Sequence, residues 1–154
     1  MRIYLVIMDE TEEAKQALRF ASLRAQKTGG SVHILALVPR QTFQAFGGVQ
    51  ATIEREAAER AEVMANAAAG NIFAESGRMP TIAVRAGNAH DVIGKYLEEH
   101  GDIAALVLGA AASGGPGPLV THFAHAAGTL PCPVYVIPGS LDNRQVDAIA
   151  ARGV

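Results

Sequence analysis

Residues 103–121 read IAALVLGAAASGGPGPLVT, and this stretch decides the fold. A continuous apolar run from Ile103 to Leu108 ends at Gly109, a glycine-rich loop follows, and Pro118 opens an amphipathic segment. The pattern predicts a buried strand, a turn, and a helix whose first turn points at the loop. The first N–H groups of a helix have no intrahelical acceptor and lie at the positive end of its dipole. Such a turn therefore suits an anion, above all a phosphate.

The remaining sequence alternates short apolar runs with helical patterns. Strands are predicted over 3–8, 31–38, 81–86 and 134–137, besides the one that ends at Gly109, and helices over 11–27, 51–69, 89–99 and 119–130. This order predicts an α/β fold with an open five-stranded parallel sheet and helices on both faces. If the strands lie in the order 3-2-1-4-5, the loops after strands one and four flank one crevice. Ligands bind at this position in such sheets.

Length, charge and cysteine content exclude several classes of protein. A chain of 154 residues is most simply one domain, and a net charge of -2 argues against a nucleic-acid surface. The single Cys132 excludes an intramolecular disulfide, and we interpret it as a small buried hydrophobe. The apolar run 3–8 is too short for a membrane span, and no small-residue cleavage site follows it. We therefore expect a cytoplasmic protein with no membrane partner.

The chain resembles the universal stress protein family over nearly its whole length. The resemblance lies in IYLVIMDETEEAKQALRFA (3–21), VRAGNAHDVI (84–93) and DIAALVLGA…LPCPVYVIPG (102–110 and 130–139). It implies a Rossmann-like fold, similar to the adenine nucleotide alpha hydrolases, over residues 1–139. It also implies a homodimer formed through the last strand, Val134–Ile137. Residues 140–154 are predicted to form a tail helix whose stripe of Val146 and Ile149 docks on its own domain or on a second subunit.

Many members of that family bind ATP through a motif after the fourth strand. The motif is Gly, two residues, Gly, nine residues, and then Gly with Ser or Thr. Here Gly109 matches the first glycine and Thr121 the hydroxyl residue, whereas Ala112 and Val120 stand at the other two glycine positions. The intervening stretch is two residues short, and a valine adds bulk where a phosphate would approach the backbone.

The resemblance and the glycine-rich loop together predict a non-catalytic protein that binds ATP or a related phosphate ligand. By resemblance, Asp9 and Val38 lie beside the base, and Gly109 and Thr121 lie beside the phosphates. Three further glycines could rebuild a phosphate cradle in the shorter loop: Gly114, Gly115 and Gly117.

Other interpretations of the same residues stay open. The loop could be only a tight strand–helix connection, with Gly117 as N-cap and Pro118 at the first helical position. Asp9 could cap the first helix, and Thr121 could bond a backbone carbonyl. The chain would then be a dimeric interaction module of the stress response that binds no nucleotide. An enzyme that acts on ATP is the third alternative. Such enzymes often hold the phosphates with a Walker lysine, and none follows Ser113 and its glycines, so we expect no enzymatic activity.

Two further features of the sequence concern metal binding and a long loop. His122 and His125 lie three residues apart on one helix, but no third ligand is near in the sequence, so we expect no metal. Residues 39–50 are predicted to be a long loop, in which Phe43 and Phe46 could cover a base, contact a partner, or pack on the domain's own core.

Overall fold

The structure is a computed structural model that describes residues 2–38 and 47–152, except for the side chains of 47–50. Its strands are β1 (Ile3–Met8), β2 (Ser31–Val38), β3 (Thr81–Ala86), β4 (Ile103–Ala110) and β5 (Val134–Pro138). Its α-helices are α1 (Glu12–Thr28), α2 (Gly47–Ser76), α3 (Ala89–Glu99), α4 (Pro118–Ala126) and α5 (Asn143–Ala151). The strands form one parallel sheet in the order β3-β2-β1-β4-β5, which confirms the predicted fold.

The central position of β1 follows from its composition. All six of its residues are buried, as expected for a strand covered by helices on both faces. Its register with β2 runs from Ile3 opposite Ser31 to Met8 opposite Ala36, and on its other side Leu5 lies opposite Leu106 of β4. The loops after β1 and β4 are therefore neighbours, as the predicted crevice requires.

Successive strand residues point to opposite faces and build two hydrophobic cores. On one face, Val6 and Val107 belong to a cluster with residues of α1, α2 and α5. On the other face, Leu5 and Leu106 belong to a cluster with residues of α3 and α4, including the fully buried Phe123. The sheet is thus the middle layer of a three-layer domain.

Two helices differ in length from the prediction. The helix predicted over 51–69 extends from Gly47 to Ser76, because no proline interrupts this alanine-rich stretch before Gly77 turns left-handed (φ 74°). The predicted loop is therefore wrong for residues 47–50, and residues 39–46, with Phe43 and Phe46, lie outside the described structure. The helix predicted over 119–130 begins at Pro118, ends at Ala126 and continues as a single 3-10 turn.

The tail helix α5 packs on α1 of its own domain. Its N-terminus is held by a capping box in which the Asp142 side chain accepts from the N–H of Gln145, and Val146 is fully buried in the α1 face of the core. At its other end, Arg24 and Lys27 of α1 donate to carbonyls of the last turn. In this structure the tail helix thus packs on its own domain, which is one of the two docking modes that the sequence left open.

None of the helices in the described ranges is both long and apolar enough to cross a membrane.

Candidate functional site

A crevice of about 130 Å³ lies at the carboxyl edge of the sheet, between β1 and β4. Its walls are the turn after β1, the first turn of α1, the end of β4 and the start of α4. Three of the predicted site residues, Asp9, Gly109 and Gly117, line it together. The structure therefore brings the loop after the first strand and the loop after the fourth to one place.

The other predicted site residues do not line this crevice. Gly114 and Gly115 are exposed in a left-handed turn, which the N–H of Ala111 closes by donating to the Pro116 carbonyl at 3.1 Å. Val38 is buried at the end of β2 in the core beneath α1 and α2. Thr121 is exposed in α4.

The first turn of α4 offers main-chain donors to the crevice. Gly117 is the N-cap, and Pro118 has no N–H, so Thr121 is the first helical residue whose N–H reaches a carbonyl, that of Gly117 at 3.1 Å. The N–H groups of Leu119 and Val120 precede it and have no acceptor within the helix. The Thr121 hydroxyl also donates to the Gly117 carbonyl, at 3.0 Å, as in the alternative interpretation of this residue.

Val120 explains why the crevice is small. Its side chain is only 8% exposed, belongs to the core formed with α3 and α4, and also forms part of the crevice wall. A glycine at this position, as in the family motif, would leave that space open. Leu119, the residue before Val120, is only half-buried.

Gly109 has a packing role that the sequence alone did not reveal. A Cβ built on this residue would lie 2.1 Å from the carbonyl oxygen of Glu13, because α1 crosses the end of β4 at close range. Gly139, just after β5, meets the same helix, with its Cβ 2.9 Å from the Glu13 Cβ and 2.5 Å from the Ala110 carbonyl oxygen. The two glycines allow α1 to pack where it forms one wall of the crevice.

Asp9 organises the turn that enters α1. One oxygen of its carboxylate accepts the N–H of Thr11 at 3.0 Å and the Thr11 hydroxyl at 2.5 Å. This contact is an Asx turn and not the helix cap that the sequence suggested, because Thr11 is the N-cap of α1 and Asp9 bonds Thr11 itself rather than an N–H of the first helical turn. The crevice lining contains two carboxylates, Asp9 and Glu13, and no Lys, Arg or His among the described residues. The described lining therefore offers an anion main-chain N–H groups but no cationic side chain.

The histidines and the cysteine do not form a metal centre in the described part of the chain, where no group of three or more His, Cys, Asp or Glu is placed to hold an ion. His122 stacks on His90 with 3.8 Å between ring centroids, and His125 is exposed. Cys132 is half-buried, and burial raises the pKa of its thiol, which fits the interpretation of a small hydrophobe.

A second and larger cavity was not predicted. It lies between α1 and α2, has a volume of about 520 Å³, and shares Asp9 and Thr11 with the crevice. No sequence signal marks it, because it arises from the spacing of two helices that follow different strands.

The fold and the crevice define a doubly wound α/β domain with a small opening at the switch point of its sheet. The model of the universal stress protein family matches residues 1–138, and the chain belongs to this family. No curated protein matches the chain significantly.

Solved structures of universal stress proteins share the fold. UspA from Lactobacillus plantarum has a TM-score of 0.77 at 20% identity, with 88% of this chain and 97% of that chain covered. A family member from Arabidopsis thaliana with AMP bound has a TM-score of 0.56 at 18% identity (90% and 92% covered). The protein from Archaeoglobus fulgidus in complex with dAMP has a TM-score of 0.54 at 19% identity (89% and 97% covered). These likenesses concern the fold.

Proposed function

We propose that this protein binds an adenine nucleotide without turning it over, with a phosphate group in the β1/β4 crevice. The observation that carries this proposal is the convergence of Asp9, Gly109 and Gly117 on one crevice beside the unbonded N–H groups of the first turn of α4. Two solved structures with the same fold hold AMP or dAMP, which supports the same ligand class here.

The size of the crevice favours a short phosphate chain. Small-molecule pockets usually measure about 300–1,000 Å³, so 130 Å³ suits one phosphate group, with the nucleoside outside the crevice. The Val120 side chain takes the space that a longer chain would need. We therefore propose AMP as a better ligand than ATP.

The lining residues supply no machinery for hydrolysis. A phosphoryl-transfer site needs cationic groups or a metal to neutralise charge, and the described lining has neither Lys nor Arg. Its two carboxylates would repel an attacking hydroxide as well as the phosphate. We expect AMP and ATP to be recovered intact after incubation with the protein, as read by chromatography.

Isothermal titration with adenosine, AMP and ATP tests the proposal. We expect saturable binding of AMP, weaker binding of ATP, and at least about tenfold weaker binding of adenosine, because the phosphate supplies charge-assisted hydrogen bonds. The Val120→Gly variant should improve ATP binding relative to AMP. Ala124→Gly, at an exposed position of the same helix, carries the same helix penalty and should leave the ratio unchanged.

Absence of binding by all three compounds up to millimolar concentration would contradict the proposal. If adenosine binds as tightly as AMP, the phosphate group contributes nothing to binding and does not lie in the crevice. Circular dichroism of both variants shows whether a lost signal reflects a lost fold.

An exposed edge strand favours a second function, a homodimeric interaction module. β5 pairs only with β4 in the described structure, and its Tyr135 and Val136 are 38% and 40% exposed, which is high for apolar strand residues. An unpaired edge with apolar side chains is a template for pairing with a second copy. Light scattering should report a dimer that Val136→Lys dissociates, whereas Val63→Lys, at an exposed apolar position on α2, leaves it intact.

A further inference from the structure

The cavity between α1 and α2 has the dimensions of a small-molecule site. Its volume of about 520 Å³ lies inside the usual range for such sites and is about four times that of the crevice. On its other side α1 is fixed by α5, through the Arg19–Asp147 ion pair and the buried Val146. The helix is therefore held toward α5, with the cleft between it and α2.

The walls of the cleft are apolar. The first helix contributes Leu18 and Leu23, and α2 contributes Met64, Ala68 and Ile72. A ligand with an apolar body of one or two rings would remove these side chains from water.

The charges that line the cleft are predominantly negative. The ionisable residues comprise four carboxylates and two cations: Asp9, Glu10, Glu12, Glu75, Lys15 and Arg19. Both cations are engaged, because Lys15 lies 3.2 Å from Glu12 and the Arg19 guanidinium binds both oxygens of Asp147, at 2.5 and 2.8 Å. With these two ion pairs counted as neutral, the carboxylates of Asp9, Glu10 and Glu75 remain, so the field inside the cleft favours a positive charge.

The wall also contains a buried hydroxyl. Ser22 is 5% exposed, and its Oγ has no hydrogen-bond partner within the described residues. Buried hydroxyls are almost always paired, so an unpaired one in a cavity wall is a second sign of a missing ligand. The Oγ atom has almost no accessible surface, so the side chain must turn toward the cleft before it can accept a hydrogen bond from a ligand there.

We propose that the α1/α2 cleft binds a lipophilic cation, a compound with an apolar ring system that carries a protonated amine. The apolar walls hold the rings, and the carboxylates attract the ammonium group. The Ser22 hydroxyl accepts a hydrogen bond from that group once its side chain turns toward the cleft. The cleft adjoins the phosphate crevice and shares Asp9 and Thr11 with it, but the apolar walls that hold the rings do not line the crevice. The proposal therefore does not rest on nucleotide binding.

Isothermal titration of the full chain at low ionic strength tests this site with a matched pair of probes, 1-naphthylmethylammonium and 1-naphthylacetate. We expect saturable binding of the cation and about tenfold weaker binding of the anion, because several solvent-exposed charges each contribute modestly. The difference should shrink as salt is added. Equal affinities for the two probes, or no saturable binding of the cation, would overturn the proposal.

Three phenylalanine variants on α2 locate the bound probe. Ala68→Phe fills the cleft from its wall, and Asn71→Phe fills it from an exposed position where the larger side chain costs the fold little. Each should weaken binding of the cation at least tenfold. Ala67→Phe, on the exposed side of the same turn, should leave it unchanged. An equal affinity of all three variants, with native circular dichroism, would show that the cation binds elsewhere and would refute the assignment.

Discussion

The close approach of α1 to the end of β4 predicts that Gly109→Ala strongly destabilises the fold. The added Cβ would lie 2.1 Å from the Glu13 carbonyl oxygen and 2.5 Å from its carbonyl carbon, whereas real Cβ contacts stay beyond 3.0 Å. The obstacle is backbone, so no side chain can turn away, and α1 must retreat by about 1 Å. Overpacking of a core commonly costs about 1–3 kcal/mol. Because α5 also rests on α1, we expect the upper end, about 3 kcal/mol.

Urea denaturation followed by circular dichroism measures this loss, and thermal melting should show the midpoint lower by about 6–12 °C for a chain of this size. Gly70→Ala is the matched control. Gly70 lies within α2, is exposed, and has no atom within 4 Å of its built Cβ. Alanine at that position should stabilise the protein by about 0.5–1 kcal/mol, since glycine is a poor helix former. The two Gly→Ala changes should therefore have opposite signs.

A free energy of unfolding for Gly109→Ala within about 1 kcal/mol of the unchanged protein would refute the packing argument. It would mean that α1 can shift away from β4 at little cost. The glycine would then need another explanation, and the proposed phosphate contact would be the natural one.

Three further substitutions test the electrostatics and the polar groups of the core. Burial, together with the charge of His100, lowers the pKa of His33 in the folded protein. The free energy of unfolding should therefore fall as the pH drops below about 6.5, and His33→Gln should weaken this pH dependence as measured by urea denaturation. The Arg19 guanidinium lowers the pKa of Asp147, so the ion pair stabilises the fold above about pH 4 and stops doing so in acid. In the same assay, Asp147→Asn should lose less of its free energy of unfolding when the pH is lowered. Ser22→Ala removes a hydroxyl with no described partner and should leave stability unchanged or raise it by up to about 1 kcal/mol; a clear loss would reveal a hidden hydrogen bond.

The strands and their order were predictable from continuous apolar runs, because a strand that is buried on both faces must be apolar along its length. β1 and β4 show this most clearly, since all six residues of β1 and the run from Ala105 to Leu108 in β4 are buried. The start of α3 was predictable for a local reason. Asn88 follows a glycine, and its side chain accepts the N–H groups of His90 and Asp91, as an N-cap asparagine does.

The site was only partly predictable, because its dimensions depend on contacts between distant segments. Asp9, Gly109 and Gly117 converge as expected from parallel topology, but the inward position of Val120 depends on how α4 packs on α3. The width of the α1/α2 cleft depends on whether α1 packs closely against α2 or against α5. α5 holds α1 from the other side, and no local pattern in α1 or α2 encodes the distance between them.

The charge of the crevice bears on the phosphate chain length of the proposed nucleotide. A helix N-terminus stabilises an adjacent anion by about 0.3–1 kcal/mol at an exposed site, and α4 supplies one such terminus. Asp9 and Glu13 line the same crevice and oppose it, although the Asp9 carboxylate is partly neutralised by its two hydrogen bonds from Thr11. Each additional phosphate adds charge to the repulsive side, while the number of free N–H groups at the start of α4 stays the same. Repulsion by the two carboxylates therefore grows with the length of the phosphate chain, while attraction by the N–H groups does not. Charge and volume therefore both support the proposal that a monophosphate is the ligand.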